Sequence, residues 1–437
     1  MQSSNSFFRH PLSQAADKLK ETFRLMGFQF VDNGEGLEVE EPGVTFATWD
    51  EPADVFGWQN DPILLGEGNV LIRTRILPAH LRALEFQPPI RLVTYGRVHK
   101  KEPRFPMYLQ IEGFVAEKGL TVEAWKVLWN RYAVTLLGLG SSASLESAGD
   151  AAYKITVKNP EDGKVFDLGY TGPASEEALA VSGIKSTDCA SWVFVIDVDR
   201  FALQYFSIAD RPTLYDNDVT FLRRFKSNAA AGGYTLEYRL ADELRKIGYM
   251  ETYGDTMYPE GFHKKMNMIQ EKWDTNNRGF RLVKPLGDFT TIRTVLTFAM
   301  ETILARNYER GATDVRIFEV AHKYAPVDGK LLPKETLCGA MFTYGTEITL
   351  ESFGKEVEAV FQALGFSSLD YVHSEIAIAF EGGCDVARCS PEISLNSYYG
   401  QMNKIAAKNM GIGVPAYMAL FDIPTLEAAI KTLGLSY

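Results

Sequence analysis

The chain has 437 residues, more than one compact core needs, which points to two or three domains. Its formal net charge of -11 speaks against a broad phosphate-gripping surface, though a local basic patch stays open. Four cysteines without a CxxC pair and six histidines without HExxH spacing give neither a disulfide framework nor a metal motif, and the absence of a membrane-spanning run or a signal-like N-terminus makes the cytoplasm the expected compartment, with no membrane partner.

Pro11 to Met26 reads as a helix, with Leu12, Ala15, Ala16, Leu19, Phe23 and Met26 on one apolar face and Gly27 as its stop. Phe28 and Phe30 begin a strand. Phe46 to Asn69, rich in Pro, Gly, Asp and Trp, reads as loop packed by Trp49 and Trp58. Val70 to Thr74 is a strand and Pro78 to Phe86 a short helix. Ile90 to Val98 and Leu109 to Ala116 are apolar runs of strand length around the polar stretch Lys100 to Pro106, which predicts an antiparallel hairpin. A helix over Val122 to Gly138 follows, then strands at Tyr153 to Val157, Lys164 to Leu168 and Trp192 to Val198. Antiparallel strands around helices make an α+β domain.

Asp210 to Gly233, with Arg211-Pro212 and the small-residue run Ala229 to Gly233, reads as a boundary, placed at 228/229. The pattern then begins again: a helix over Leu236 to Ile247 ending in Gly248-Tyr249 echoes the first helix and its Gly27-Phe28. Helices at Val295 to Asn307 and Phe353 to Leu364, strands at Val315 to Ala321 and Ala416 to Asp422, and a closing helix near Leu426 complete the second half.

The segment of most chemical interest runs from Gly96-Arg97-Val98-His99-Lys100-Lys101-Glu102 to Tyr108-Leu109-Gln110-Ile111-Glu112-Gly113. Cations at a hairpin end suit a polyphosphate and the charge of displacement at phosphorus. An amide and a carboxylate two residues apart on one strand face suit an α-ammonium group. Taken alone, the same residues fit a solvated hairpin with an ion pair.

Joined with Leu71-Ile72-Arg73-Thr74, Pro78, Arg82 and the later Asp216-Asn217-Asp218, these motifs resemble the α-subunit of phenylalanyl-tRNA synthetase over roughly the first 225 residues. The second half is similar to the catalytic-like module of that enzyme's β-subunit, through Lys284-Pro285-Leu286, Ile292-Arg293-Thr294, Arg316-Ile317-Phe318-Glu319-Val320 and Pro415 to Asp422. The resemblance implies two tandem class II synthetase modules, 1–228 catalytic and 229–437 non-catalytic. It implies ATP and Mg2+ as cofactors, an amino-acid-like substrate, tRNA or another acyl acceptor as partner, and a homodimer.

Carried over residue by residue, the family's motif 2 arginine falls on Lys100, whose role is the α-phosphate, with Glu102 beside it. The adenine-stacking aromatic falls on Tyr108, the amino-group ligands on Gln110 and Glu112, and the motif 3 arginine, which serves the γ-phosphate, on Arg200. Asp167 or a neighbour stands near the family's metal-linked acid, and no metal ligand is assigned. Arg75 replaces part of the family's HTS run and is placed to read an extra carboxylate or phosphate; a surface arginine is the plainer reading. The phenyl-embracing segment has no counterpart around Ser141 to Gly149, which argues against phenylalanine as substrate. The motif 3 glycines become Val195 and Asp197, whose bulk and charge stand where adenine meets backbone. A non-catalytic paralogue that binds an amino acid as a sensor or partner subunit is the alternative.

Overall fold

The computed structural model describes residues 7–31, 38–44, 62–66, 68–83, 87–102, 105–149, 151–227, 235–267, 280–327, 329–375 and 379–435. Contacts divide the chain into two compact units: Leu12–Leu214 with Leu282–Gly287, and Met1–Pro11 with Tyr215–Arg281 and Asp288–Tyr437. No helix among the described residues is long and apolar enough to cross a membrane.

In the first unit, helix α1 (Pro11–Leu25) leads into strand β1 (Gln29–Phe30). Helix α2 (Leu77–Arg82), the hairpin β2 (Ile90–His99) and β3 (Met107–Glu117), and helix α3 (Val122–Leu137) follow. Next come β4 (Ser142–Ser147), β5 (Tyr153–Lys158), β6 (Val165–Pro173), α4 (Glu176–Ser182), β7 (Ala190–Asp197), α5 (Val198–Tyr205) and α6 (Arg211–Tyr215). The strands form one sheet in the order β1-β2-β3-β7-β6-β5-β4. Only β1–β2 is parallel; the other pairs are antiparallel. The hairpin and most helices lie where the sequence predicts them. The stretch 46–69 carries a strand, Ile63–Leu65, that the loop reading omits, while Trp49 and Trp58 lie outside the described residues.

The two faces of this sheet differ because side chains alternate along each strand. On one face Phe194 is fully buried at the centre of an aromatic cluster: Phe23 stacks on it at 5.0 Å and Trp129 meets it edge-on at 5.4 Å. The neighbouring strand makes room for that ring with Gly113, where a Cβ would stand 2.0 Å from Phe194 Cζ. On the opposite face Leu92, Phe114 and Val193 join Leu77 and Leu81 of α2 and Ala178 of α4 in an apolar cluster. That cluster covers half of the face; the other half carries the polar residues of the hairpin.

The second unit repeats the plan. Its elements are α7 (Leu236–Lys246), β8 (Met250–Glu251), α8 (Thr297–Glu309), β9 (Val315–Ala325), β10 (Lys334–Tyr344), α9 (Leu350–Ala363), β11 (Asp370–Ser374), β12 (Cys384–Ser390), β13 (Ile393–Gln401), α10 (Lys404–Asn409), β14 (Ala416–Asp422) and α11 (Ile423–Leu433). The sheet order is β8-β9-β10-β14-β13-β12-β11, the same permutation as in the first unit. Backbone detail repeats too. Arg73 Nε donates to Arg97 O while His99 N donates to Arg73 O; Arg293 Nε donates to His322 O while Tyr324 N donates to Arg293 O.

Two stability predictions follow from the packing. Gly113→Ala drives a methyl into the Phe194 ring, and we expect a loss of about 2–3 kcal/mol in urea unfolding. Glu301, on α8, is 1% exposed, its Oε2 makes no hydrogen bond, and burial pushes its carboxyl up to about 8. The folded chain therefore keeps a proton that the unfolded chain loses near pH 4.5, so this group lowers stability as pH rises from there toward 8. Glu301→Gln should flatten that slope and leave the variant more stable than wild type at pH 8, by on the order of 1–3 kcal/mol in denaturant titrations.

Candidate active site

The site begins with the alternation of β3 (Met107–Glu117). Tyr108, Gln110, Glu112 and Phe114 share one face. Across the register, Gln110 lies between Gly96 and Asp197, and Glu112 between Thr94 and Val195. Gln110 and Glu112 are fully buried, and Thr94, Val195 and Asp197 are buried beside them.

Glu112 sits at the border between the apolar half of the face and the polar half, and its carboxylate accepts the N–H groups of Ile76 at 3.0 Å and Leu77 at 2.9 Å. These open the first turn of α2, where backbone donors lack intrahelical partners and the helix favours negative charge. Glu112 thus has a structural task beside the substrate role that the resemblance implies. Gln110 has none: neither its amide oxygen nor its nitrogen makes a hydrogen bond. A buried amide left unsatisfied costs about 1–3 kcal/mol, so its place in the face suits a polar ligand.

Asp197 links the cations. It caps α5 by accepting Arg200 N–H at 2.9 Å, and its other oxygen lies 3.9 Å from Arg200 Nε. The cap gives the acid a structural reason to stand where the resemblance expects glycine. Arg200 Nη1 also meets Asp167 Oδ2 at 2.9 Å, and Lys154 Nζ reaches the same oxygen at 2.9 Å. Burial works against the charge of Arg200, but Asp197 and Asp167 outweigh it and leave its pKa raised.

Lys100 follows β2, and its N–H closes the hairpin loop onto Pro106 O at 2.8 Å. Its ammonium lies 3.9 Å from the Tyr108 ring centroid. Burial pulls the lysine well below its usual range; Asp197 draws it back up, Arg211 lowers it, and Asp199 and Arg75 act with opposite signs. Arg75 is 3% exposed, so it is not a surface arginine, and it shares the field of Lys100. Lys100, Gln110, Glu112 and Arg200 are therefore gathered around one face of one sheet, with Arg75 and Tyr108 at its margin.

The structure adds a residue that motif reading passed over. Arg211 lies in a stretch that sequence reads only as a boundary. Its guanidinium carbon is 3.5 Å from the Tyr108 centroid, and it pairs with Asp199 at 2.9 Å and Glu102 at 3.4 Å. Tyr108 Oη donates to Glu102 as well.

Residues 1–225 match the tRNA synthetases class II core domain (F), and residues 224–423 match the phenylalanyl tRNA synthetase beta chain CLM domain. The chain belongs to the class II tRNA synthetase core family. Phenylalanine–tRNA ligase alpha subunits are among its relatives: that of Coxiella burnetii is 26% identical over 225 residues, which are 50% of this chain and 68% of that protein. That of Acetivibrio thermocellus is 28% identical over 240 residues, 50% of this chain and 69% of that protein. A solved pyrrolysyl-tRNA synthetase from Desulfitobacterium hafniense is 19% identical and covers 46% of this chain and 69% of its own, at a TM-score of 0.37, too slight a likeness to add to the fold.

Within this class II frame the second unit keeps the scaffold and changes the residues. Ala321, Cys338 and Asp422 pair as Gly96, Gln110 and Asp197 do, and Glu319, Ala340 and Leu420 as Thr94, Glu112 and Val195 do. Asp422 caps α11 by accepting Thr425 N–H, as Asp197 accepts Arg200 N–H. The amide, the carboxylate and the arginine of the first unit are thus cysteine, alanine and threonine in the second. Ala321, Cys338, Ala340 and Phe342 there are core, packed with Met300, Ile303 and Leu304 of α8.

Glu112→Ala would strand two buried N–H groups at the start of α2. We expect it to cost about 2–4 kcal/mol in urea unfolding, and Glu112→Gln distinctly less because its amide oxygen still accepts one of them.

Proposed function

We propose that this chain is an ATP-dependent ligase that activates an amino-acid-like carboxylate as its adenylate. The catalytic module is 1–228, and 229–437 is a non-catalytic module of the same fold. One observation carries the proposal: Gln110, Glu112 and Asp197 share a sheet face, Arg200 Nε lies 3.9 Å from Asp197, and Lys100 stands in the field of the same aspartate.

In this reading the substrate carboxylate attacks the α-phosphorus of ATP and pyrophosphate leaves. The work is positioning and charge neutralisation and needs no protein nucleophile. Lys100 neutralises the α-phosphate. Its depressed pKa fits that task, because an arriving phosphate restores the charge that burial opposes. Arg200 serves the γ-phosphate and would turn from Asp167 and Asp197 toward it. Gln110 and Glu112 hold the amino group, Glu102 and Tyr108 the base, and Arg75 reads an anionic substrate. Mg2+, when bound, screens the polyphosphate and fixes its shape. Among the described residues no three acids, histidines or cysteines converge as a metal site. Asp167 Oδ1 is buried and makes no hydrogen bond, which fits a magnesium held mainly by phosphate oxygens, with one carboxylate beside them. The acyl group then passes to tRNA or another acceptor. The cytoplasm as compartment and a homodimer as assembly belong to the same proposal; light scattering tests the latter.

A second reading has a specific observation in its favour. Arg211 lies 3.5 Å from the Tyr108 centroid, and Val195 stands where the resemblance expects a glycine against adenine, which suits a paralogue that binds an amino acid without activating it. Amino-acid-dependent pyrophosphate exchange separates the two. The ligase reading expects exchange with at least one amino acid, reduced 100-fold or more by Lys100→Ala and by Arg200→Ala, alongside unchanged thermal unfolding. Calorimetric binding of an amino acid with no exchange across the whole panel would establish the sensor instead.

A further inference from the structure

Arg211 makes more contacts than a residue at a boundary needs. Nε and Nη2 both donate to Asp199 Oδ2, at 3.0 and 2.9 Å. Nη2 donates also to Met107 O at 2.6 Å, on the strand that carries Tyr108. Nη1 reaches Glu102 Oε2 at 3.4 Å and Phe105 O at 3.5 Å. The flat guanidinium meanwhile rests 3.5 Å from the Tyr108 centroid. Asp199 is fully buried, and its second oxygen accepts Leu109 N–H at 3.2 Å.

This is the set of contacts a planar, amino-bearing heterocycle would seek: an aromatic face to stack on, a strand carbonyl to take an N–H, and a carboxylate at the edge. Guanidinium and purine are alike in being flat, and both stack on tyrosine. A shared seat means exclusive occupancy.

We propose that Arg211 is a latch on the nucleobase seat of Tyr108, so that nucleotide binds only in the fraction of molecules whose Arg211 has left the ring. The inference rests on the ATP-dependent reading above and adds a residue that sets nucleotide affinity. Departure of Arg211 strands the buried Asp199, and this holds the latch shut. The apparent dissociation constant is raised by the reciprocal of the open fraction. Lys100 shares the Tyr108 ring, its ammonium 3.9 Å from the centroid, and Arg211 works against its charge, so removing Arg211 also favours phosphate at Lys100; the latch is the part of the gain that needs a base.

The test is calorimetric titration of the full chain with Mg–ATP, with AMP and with tripolyphosphate, which carries no base. Wild type is compared with Arg211→Ala and with Asp199→Asn/Arg211→Ala. The double variant leaves no unpaired buried charge while its amide oxygen still accepts Leu109 N–H, so it guards against misfolding of the single one; circular dichroism checks both. The latch predicts ATP and AMP binding at least about tenfold tighter in the folded variants, with a distinctly smaller gain for tripolyphosphate, which feels only the change at Lys100; an equal gain for tripolyphosphate overturns it. Unchanged or weaker ATP and AMP binding overturns it, as does a failure of every protein to bind ATP, because removing Arg211 should have bared the ring. Pyrophosphate exchange by wild type reads the ligase proposal separately. Exchange with an ATP affinity indifferent to residue 211 sinks the latch alone. Tighter nucleotide binding in variants, with no exchange by any protein, sinks the ligase alone.

Discussion

The register of the Met107–Glu117 strand between its two neighbours is the constraint on which the candidate site depends. With Gln110 opposite Gly96 and Asp197, the amide, the carboxylate and the capping acid face one way. A slip of one residue would turn all of them into the aromatic layer. Gly113 helps to forbid that slip, because the Phe194 ring fills the space where any other residue would carry a Cβ. The aromatic core on one face therefore sets the chemistry on the other, although no residue belongs to both.

The second module shows how much of this arrangement is scaffold. Asp422 caps its helix as Asp197 does, so that acid is first a device for turning strand into helix. What differs is the filling. The first module has a two-turn α2 whose opening N–H groups rest on Glu112, and polar residues beyond it. The second has a thirteen-residue helix over a face of cysteine, alanine and aromatic side chains. A polar face and an apolar core thus arise from one topology, according to whether the strand face below the helix carries amides and carboxylates or methyl groups. The buried Arg293–Glu319 pair, at 3.2 Å with both side chains fully buried, is a polar exception on that face.

Much of this was legible in the sequence, for physical reasons. The hairpin stood out because two apolar runs flank a charged loop, and the order of short motifs pointed to the family that comparison shows. The strand Ser142–Ser147 is not legible in the sequence because an edge strand with little buried surface has no apolar alternation. The strands between Asp370 and Gln401 carry a similarly mixed, half-exposed pattern. Arg211 was illegible for another reason. Its partners Glu102, Met107 and Asp199 are 109, 104 and 12 residues away, and no local pattern joins them. The charge of Glu112 is visible in the sequence, while its bonds to Ile76 and Leu77 exist only once the helix has been folded over the strand.

A crystal structure of the chain with a non-hydrolysable adenylate analogue of an amino acid that it binds tests the central claim most directly. The account predicts the analogue's phosphate beside Lys100 and its amino group against Gln110 and Glu112, on the sheet face that Asp197 shares. An analogue bound away from that face, with Gln110 and Lys100 touching none of it, would contradict the account.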